Sequence, residues 1–99
     1  MLNIDKKADN GTLDLALEGR LDTVTAPNLD AVIKESLDGV TELVMDFEKL
    51  DYISSAGLRV LLAAQKIMNA QGSMKVIKVN EAIMGVFEVT GFSDILTIE

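Results

Sequence analysis

Hydrophobic and polar residues alternate along the first two segments of the chain. In residues 2–4 and 12–19 every second position is apolar, so each segment is predicted to be a half-buried strand. Between them, the Asp-Asn-Gly sequence at residues 9–11 is typical of a tight hairpin turn. The chain is therefore predicted to begin with an antiparallel β-hairpin.

Three later segments carry apolar residues at helical spacing. The first spans residues 25–39, and the hydroxyl of Thr25 is expected to cap it. The second covers residues 55–71, and the third runs from a cap at Asn80 to a stop at Gly91. All three are predicted to be amphipathic helices that pack one face on a sheet.

Short apolar segments between these helices complete the predicted sheet. Residues 42–47 and 74–79 are β-prone, and residues 94–99 are expected to add a last strand. Residues 48–54 are expected to be irregular. The predicted fold class is α/β, with the order β-β-α-β-α-β-α-β, a mixed sheet, a right-handed parallel βαβ unit and helices mainly on one face.

Composition limits the number of domains and the partners. The chain has 99 residues, 48% of them hydrophobic, so we expect one small domain over residues 1–99. The net charge is −7, and the nine basic residues are scattered. Nucleic acid binding needs clustered positive charge, so a basic protein surface is the better partner. With no signal segment and no long apolar run, the expected location is cytoplasmic, without membrane contact.

The residues that most enzymes use are missing. The chain has no histidine and no cysteine, which excludes Ser-His-Asp and thiol catalysis and removes the usual ligands of metal sites. Glycine-rich phosphate-binding motifs are absent as well, so neither a cofactor nor a metal is expected. A serine with a lysine base, or a carboxylate pair, stays open on local sequence alone. We do not expect an enzyme.

Two adjacent serines precede the second predicted helix. One of them is expected to cap the helix; if Ser54 does so, the hydroxyl of Ser55 is free at the positively polarised N-terminus. Ala56 and Gly57 would leave that hydroxyl unshielded. Gly57 fits either close approach of a partner or tight packing on the sheet. Asp22, alone a turn or capping residue, gains interest if it lies beside Ser55.

Three motifs follow one another in order between residues 17 and 96. Residues 17–29 are "LEGRLDTVTAPNL", residues 44–62 are "VMDFEKLDYISSAGLRVLL", and residues 86–96 are "VFEVTGFSDIL". Together they resemble the STAS family, in particular the bacterial anti-sigma factor antagonists, and the middle motif is the most specific. The resemblance implies a small mixed sheet with helices packed mainly on one side, in agreement with the hydrophobic pattern.

The resemblance also implies a function. Antagonists of this kind bind a cognate anti-sigma factor that is also a serine kinase, and so release the sigma factor. Phosphorylation of one serine at a helix start breaks the complex, and a phosphatase is a further expected partner. On this chain the acceptor would be Ser55, with Ser54 as the second candidate. The implied partner surface comprises Asp22, Thr23, Thr25, Ser54, Ser55, Ala56, Gly57 and Arg59.

Two positions depart from the family motif. Ser54 stands where an aspartate is common, and Ala56 stands where a hydroxyl is common. These departures leave open a second acceptor at Ser54 or a different kinase preference. An alternative function is a STAS interaction module in a scaffold or transport-accessory complex, without a phosphoswitch. A carboxylate-based enzyme is a third class, and its turnover would depend on Asp22.

Overall fold

The computed structural model describes residues 1–99. Its elements along the chain are β1 (Leu2–Asp9), β2 (Thr12–Leu21), α1 (Ala26–Ser36), β3 (Glu42–Ile53), α2 (Ser55–Gln71), β4 (Ser73–Ile77) and α3 (Glu81–Thr90). The four strands form one sheet in the order β1-β2-β3-β4. None of the helices combines the length and the apolar character needed to cross a membrane.

The predicted mixed sheet and its opening hairpin are confirmed. Strands β1 and β2 are antiparallel, and they are joined by a turn in which Asn10 and Gly11 both have positive φ, at 49° and 85°. Such a turn matches the twist of the flanking strands. Strands β2, β3 and β4 run parallel, so α1 and α2 each connect two parallel neighbours.

The helices pack on one face of the sheet, as the hydrophobic pattern predicts. Phe47 on β3 reaches Phe87 on α3, with 6.3 Å between the ring centroids. Charged side chains lie on the opposite face, where Asp5, Asp14 and Asp46 surround a shallow depression. The side chains of β2 and β3 that are buried in the core are Leu13, Leu15, Leu17, Leu21, Leu43, Met45, Phe47, Leu50 and Ile53.

Strand β3 is longer than predicted, because it continues through most of the stretch expected to be irregular. Residues 48–53 remain in the sheet, and the register against β2 shifts twice. The buried side chains show the cause: after Phe47 the next ones are Leu50 and Ile53, a spacing of three residues instead of two. Each extra residue forms a bulge that returns an apolar side chain to the core.

The predicted last strand at residues 94–99 is wrong. A short 3-10 turn, Phe92–Asp94, follows α3, and the amides of Ile95 and Leu96 both donate to the carbonyl oxygen of Phe92. These hydrogen bonds keep the chain in a turn as far as Leu96, so residues 94–96 cannot pair with the sheet. Only an isolated parallel bridge between Ile98 and Val76 then remains at the edge of the sheet.

Candidate protein-interaction site

The ends of β2 and β3 bring the two predicted site segments together. Leu21 pairs with Ile53 in parallel register, and the Ser54 amide donates to the Leu21 carbonyl oxygen at 2.8 Å. Asp22 directly follows Leu21, and Ser55 directly follows Ser54. The two segments therefore leave the same edge of the sheet as neighbours, as the sequence pattern requires if Asp22 and Ser55 form one surface.

The two serines have different local roles. Ser54 is the cap of α2, because its Oγ accepts a hydrogen bond from the Gly57 amide at 3.3 Å. Ser55 is the first residue of the helix and is exposed, and its hydroxyl has no hydrogen-bond partner within the protein. The first turn of α2 thus presents a free hydroxyl beside unpaired helix amides.

Gly57 is buried against the sheet. A Cβ atom at this position would lie 2.7 Å from Leu21 Cγ and 3.0 Å from Ile53 Cγ1, too close for ordinary packing. Of the two interpretations of this glycine, the structure supports tight packing. Gly57 therefore lies beneath the surface and sets how closely α2, with Ser55 at its start, approaches β2 and β3.

Asp22 organises the loop between β2 and α1. Its Oδ1 accepts hydrogen bonds from the amides of Val24 and Thr25, both at 3.0 Å. The bond from the Thr25 amide is the main cause that lowers the pKa of the Asp22 carboxyl, and the Thr25 hydroxyl and the Val24 amide lower it further, while partial burial opposes them. Asp22 is therefore a fixed negative charge at neutral pH.

Thr25 does not cap α1 with its side chain, so that prediction is wrong. Thr25 is buried, and its Oγ1 donates to the Arg20 carbonyl oxygen at 2.8 Å and accepts from the Asp22 amide at 2.9 Å. The amide of Ala26, the first residue of α1, donates instead to the carbonyl oxygen of Asp22. Thr25 closes the loop from inside, and Thr23 is exposed on its outer side.

Sequence reasoning missed an aromatic and cationic pair beside Asp22. The Arg20 guanidinium carbon lies 4.2 Å from the centroid of the Tyr52 ring, and Arg20 Nε is 3.8 Å from Asp22 Oδ2. Arg20 and Tyr52 are partners in the parallel register. The sequence alone does not show this pair, because Arg20 and Tyr52 lie opposite each other only as a result of the two bulges in β3. Arg59 is exposed on α2 and takes part in none of the ion pairs.

The site has no visible means of holding a metal ion. No group of three or more acidic side chains in the protein is arranged as a set of ligands. Besides the charged Asp22, Arg20 and Arg59, the surface offers hydroxyls, backbone amides and a few apolar side chains. Such an arrangement can form hydrogen bonds and ion pairs with another protein surface.

Curated relatives of this chain are named as antagonists of anti-sigma factors. A Bordetella bronchiseptica protein named as the anti-sigma factor antagonist BtrV is 41% identical over 61 residues, and the match spans 61% of this chain and 53% of that relative. The anti-sigma-B factor antagonist of Bacillus subtilis is 26% identical over 98% of this chain and 90% of its own length.

Solved structures agree with the fold. SpoIIAA, an anti-sigma factor antagonist, has been solved in its unphosphorylated form, which matches with a TM-score of 0.78 and 20% identity over 98% of this chain and 87% of that chain. The phosphorylated form of the Bacillus protein matches with a TM-score of 0.76 and 20% identity over 98% and 91% of the two chains. The sequence model of the STAS domain family matches residues 3–99 of this chain. The chain therefore belongs to the STAS domain family.

Proposed function

We propose that this protein is an anti-sigma factor antagonist. In its unmodified form it binds a cognate anti-sigma factor with serine kinase activity and thereby frees a sigma factor in the cytoplasm. Phosphorylation of Ser55 by that kinase ends the interaction, and a phosphatase restores it. The names of the relatives support the first part of this proposal, and the local geometry of Ser55 supports the second.

The observation that carries the proposal is the free hydroxyl of Ser55 at the start of α2. Because Ser54 supplies the capping oxygen, Ser55 is not needed to hold the helix. A phosphate on Ser55 would add about 1.5–2 negative charges where the helix amides and dipole favour them. Ser54 stands where an aspartate is common in the family, and an aspartate would accept the same capping bond.

The proposed partner surface has an exposed layer and a supporting layer. Asp22, Thr23, Ser54, Ser55, Ala56 and Arg59 supply the exposed or partly exposed side chains. Thr25 and Gly57, which are buried, act from below: Thr25 fixes the loop that carries Asp22, and Gly57 sets the position of the helix that carries Ser55.

Ser55 is expected to be the residue that the kinase modifies. Purified wild-type protein, Ser54→Ala and Ser55→Ala are incubated with the cognate kinase and ATP, and the modified peptide is identified by mass spectrometry. Wild-type protein and Ser54→Ala should take up one phosphate on Ser55, because the exposed hydroxyl is the accessible one. Ser55→Ala should remain unmodified and still bind the kinase.

Modification found only on Ser54 would move the acceptor by one residue and refute the assignment. Binding without any modification would favour the alternative, an interaction module without a phosphoswitch. A failure of wild-type protein to bind any purified anti-sigma factor kinase from the same genome would reject the proposed function.

Asp22 is expected to contribute charge as well as shape to the partner surface. Asp22→Ala removes both, whereas Asp22→Asn keeps an oxygen that can accept from the Val24 and Thr25 amides. Both variants should bind the kinase about tenfold more weakly or worse, the loss expected when a charge-assisted hydrogen bond disappears. A binding titration and a circular dichroism melt measure the two effects separately.

The amide variant separates the two contributions. If Asp22→Asn binds as tightly as wild type and Asp22→Ala does not, the carboxylate acts only by shaping its loop. If both variants bind and are phosphorylated normally, Asp22 lies outside the interface. An unfolded Asp22→Ala variant leaves Asp22→Asn as the deciding measurement.

A further inference from the structure

Val24 presents an apolar side chain to solvent at the tip of the loop between β2 and α1. It is 82% exposed, although its own amide and that of Thr25 both donate to Asp22 Oδ1. A single exposed valine is ordinary on a protein surface. Val24 differs from such a residue in two ways. Hydrogen bonds to Asp22 fix its backbone, and the charged Asp22, which is paired with Arg20, lies close to it.

The loop holds Val24 in place from both sides. Its amide donates to Asp22 Oδ1 at 3.0 Å, and the following residue, Thr25, is anchored by its hydroxyl to the Arg20 carbonyl oxygen. A valine side chain also has few rotamers to lose. A partner that covers Val24 therefore gains apolar contact with little ordering of the loop, and low ordering cost is what makes a contact contribute to affinity.

A second partly exposed apolar group, the Tyr52 ring, is linked to Asp22 through Arg20. Tyr52 is 41% exposed, and the guanidinium of Arg20 stacks over its ring while Arg20 Nε faces Asp22 Oδ2 at 3.8 Å. Tyrosine and arginine are among the residues enriched in the energetic centres of protein interfaces. The Val24 amide thus contacts one carboxylate oxygen of Asp22, and Arg20 of the Tyr52–Arg20 stack faces the other.

We infer that Val24 is the main apolar contact of the partner surface and that the Tyr52–Arg20 stack is its second contact. The surface fits a protein partner with an apolar pocket for a branched side chain and a cationic group facing Asp22. This inference rests on the proposed function and adds to it the residues that determine specificity.

The chain offers a matched control for Val24. Val89 on α3 is also a valine and is 89% exposed. Helix α3 runs back from the end of β4, and the chain after it returns parallel to β4, which places Val89 towards the opposite edge of the sheet from Asp22. Val24→Ala and Val89→Ala therefore remove the same atoms from similarly exposed sites.

The test is a calorimetric titration of the purified cognate anti-sigma factor with each variant, alongside thermal melts. Val24→Ala should bind about tenfold more weakly, as expected for two methyl groups that become buried in the complex. Val24→Ile and Val89→Ala should bind like wild type, and Tyr52→Ala should bind more weakly than Tyr52→Phe. Equal affinities of Val24→Ala and Val89→Ala would overturn the inference.

Inclusion of Ser55→Asp in the same titration separates this inference from the proposed function. If Ser55→Asp loses binding and Val24→Ala does not, the inference about Val24 is wrong while the antagonist function stands. If both lose binding and Val89→Ala does not, both are supported. If wild-type protein itself does not bind, the proposed function fails and the inference fails with it.

Discussion

Replacing Ser55 with aspartate is expected to weaken binding of the anti-sigma factor by about tenfold or more while the protein stays folded. The hydroxyl is exposed and forms no hydrogen bond within the protein, so a docked partner would face a neutral group there. A carboxylate introduces a charge that must be desolvated in the interface. It also adds to the fixed charge of Asp22 and to a chain that already carries −7.

The fold is expected to tolerate the same charge. An acidic side chain in the first turn of a helix interacts favourably with the helix dipole, by about 0.3–1 kcal/mol at an exposed position. No residue in the first turn of α2 is acidic in the natural sequence, so no like charge in that turn opposes the new one. The melting temperature should therefore stay near that of wild type or rise slightly. Loss of binding would then report the interface alone.

The control for added charge is Ser93→Asp. Ser93 is exposed in the 3-10 turn after α3, towards the opposite edge of the sheet from Ser55. Melts and binding titrations on both variants, together with Ser55→Ala, measure stability and affinity side by side. The electrostatic account is wrong if Ser55→Asp binds like Ser93→Asp, or if it loses binding only because it unfolds.

The period of the hydrophobic pattern was enough to predict most of the fold. Alternation in β2 assigns its leucines to one face, and helical spacing in α1 and α2 supplies the faces that cover them. These signals are local, because burial of one face repeats every two residues in a strand and about every 3.6 in a helix. The hairpin was equally predictable, since Asn10 and Gly11 readily adopt positive φ.

The features that the sequence does not reveal depend on strand register and on competition between hydrogen-bond partners within the protein. The stacking of Arg20 on Tyr52 follows from two bulges that bring these residues opposite each other, and a regular β3 would pair Arg20 elsewhere. Thr25 carries a suitable capping group, but its hydroxyl is used by the Arg20 carbonyl oxygen instead. The predicted last strand does not form because the amides of Ile95 and Leu96 donate to the Phe92 carbonyl oxygen, which holds the first half of that segment in a turn.

Gly57 shows how packing determines the site, and replacing it with alanine is expected to destabilise the protein and disturb Ser55. Alanine gains up to about 1 kcal/mol of helix propensity over glycine. The new methyl group, however, would lie 2.7 Å from Leu21 Cγ and 3.0 Å from Ile53 Cγ1, and overpacking of this kind costs about 1–3 kcal/mol. Helix α2 must then move away from the sheet, and Ser55 moves with it.

Gly85 provides the matched comparison, because it also lies within a helix and a Cβ atom there would meet nothing within 4 Å. Gly85→Ala should therefore gain stability by up to about 1 kcal/mol. Since the propensity gain is shared, the two variants should differ by the overpacking term alone, about 1–3 kcal/mol. At about 4–8 °C per kcal/mol for a domain of this size, thermal melts resolve that difference. Phosphorylation of Ser55 should slow in Gly57→Ala and stay normal in Gly85→Ala. Equal melting temperatures for the two variants would mean that α2 does not rest on Leu21 and Ile53 through this glycine.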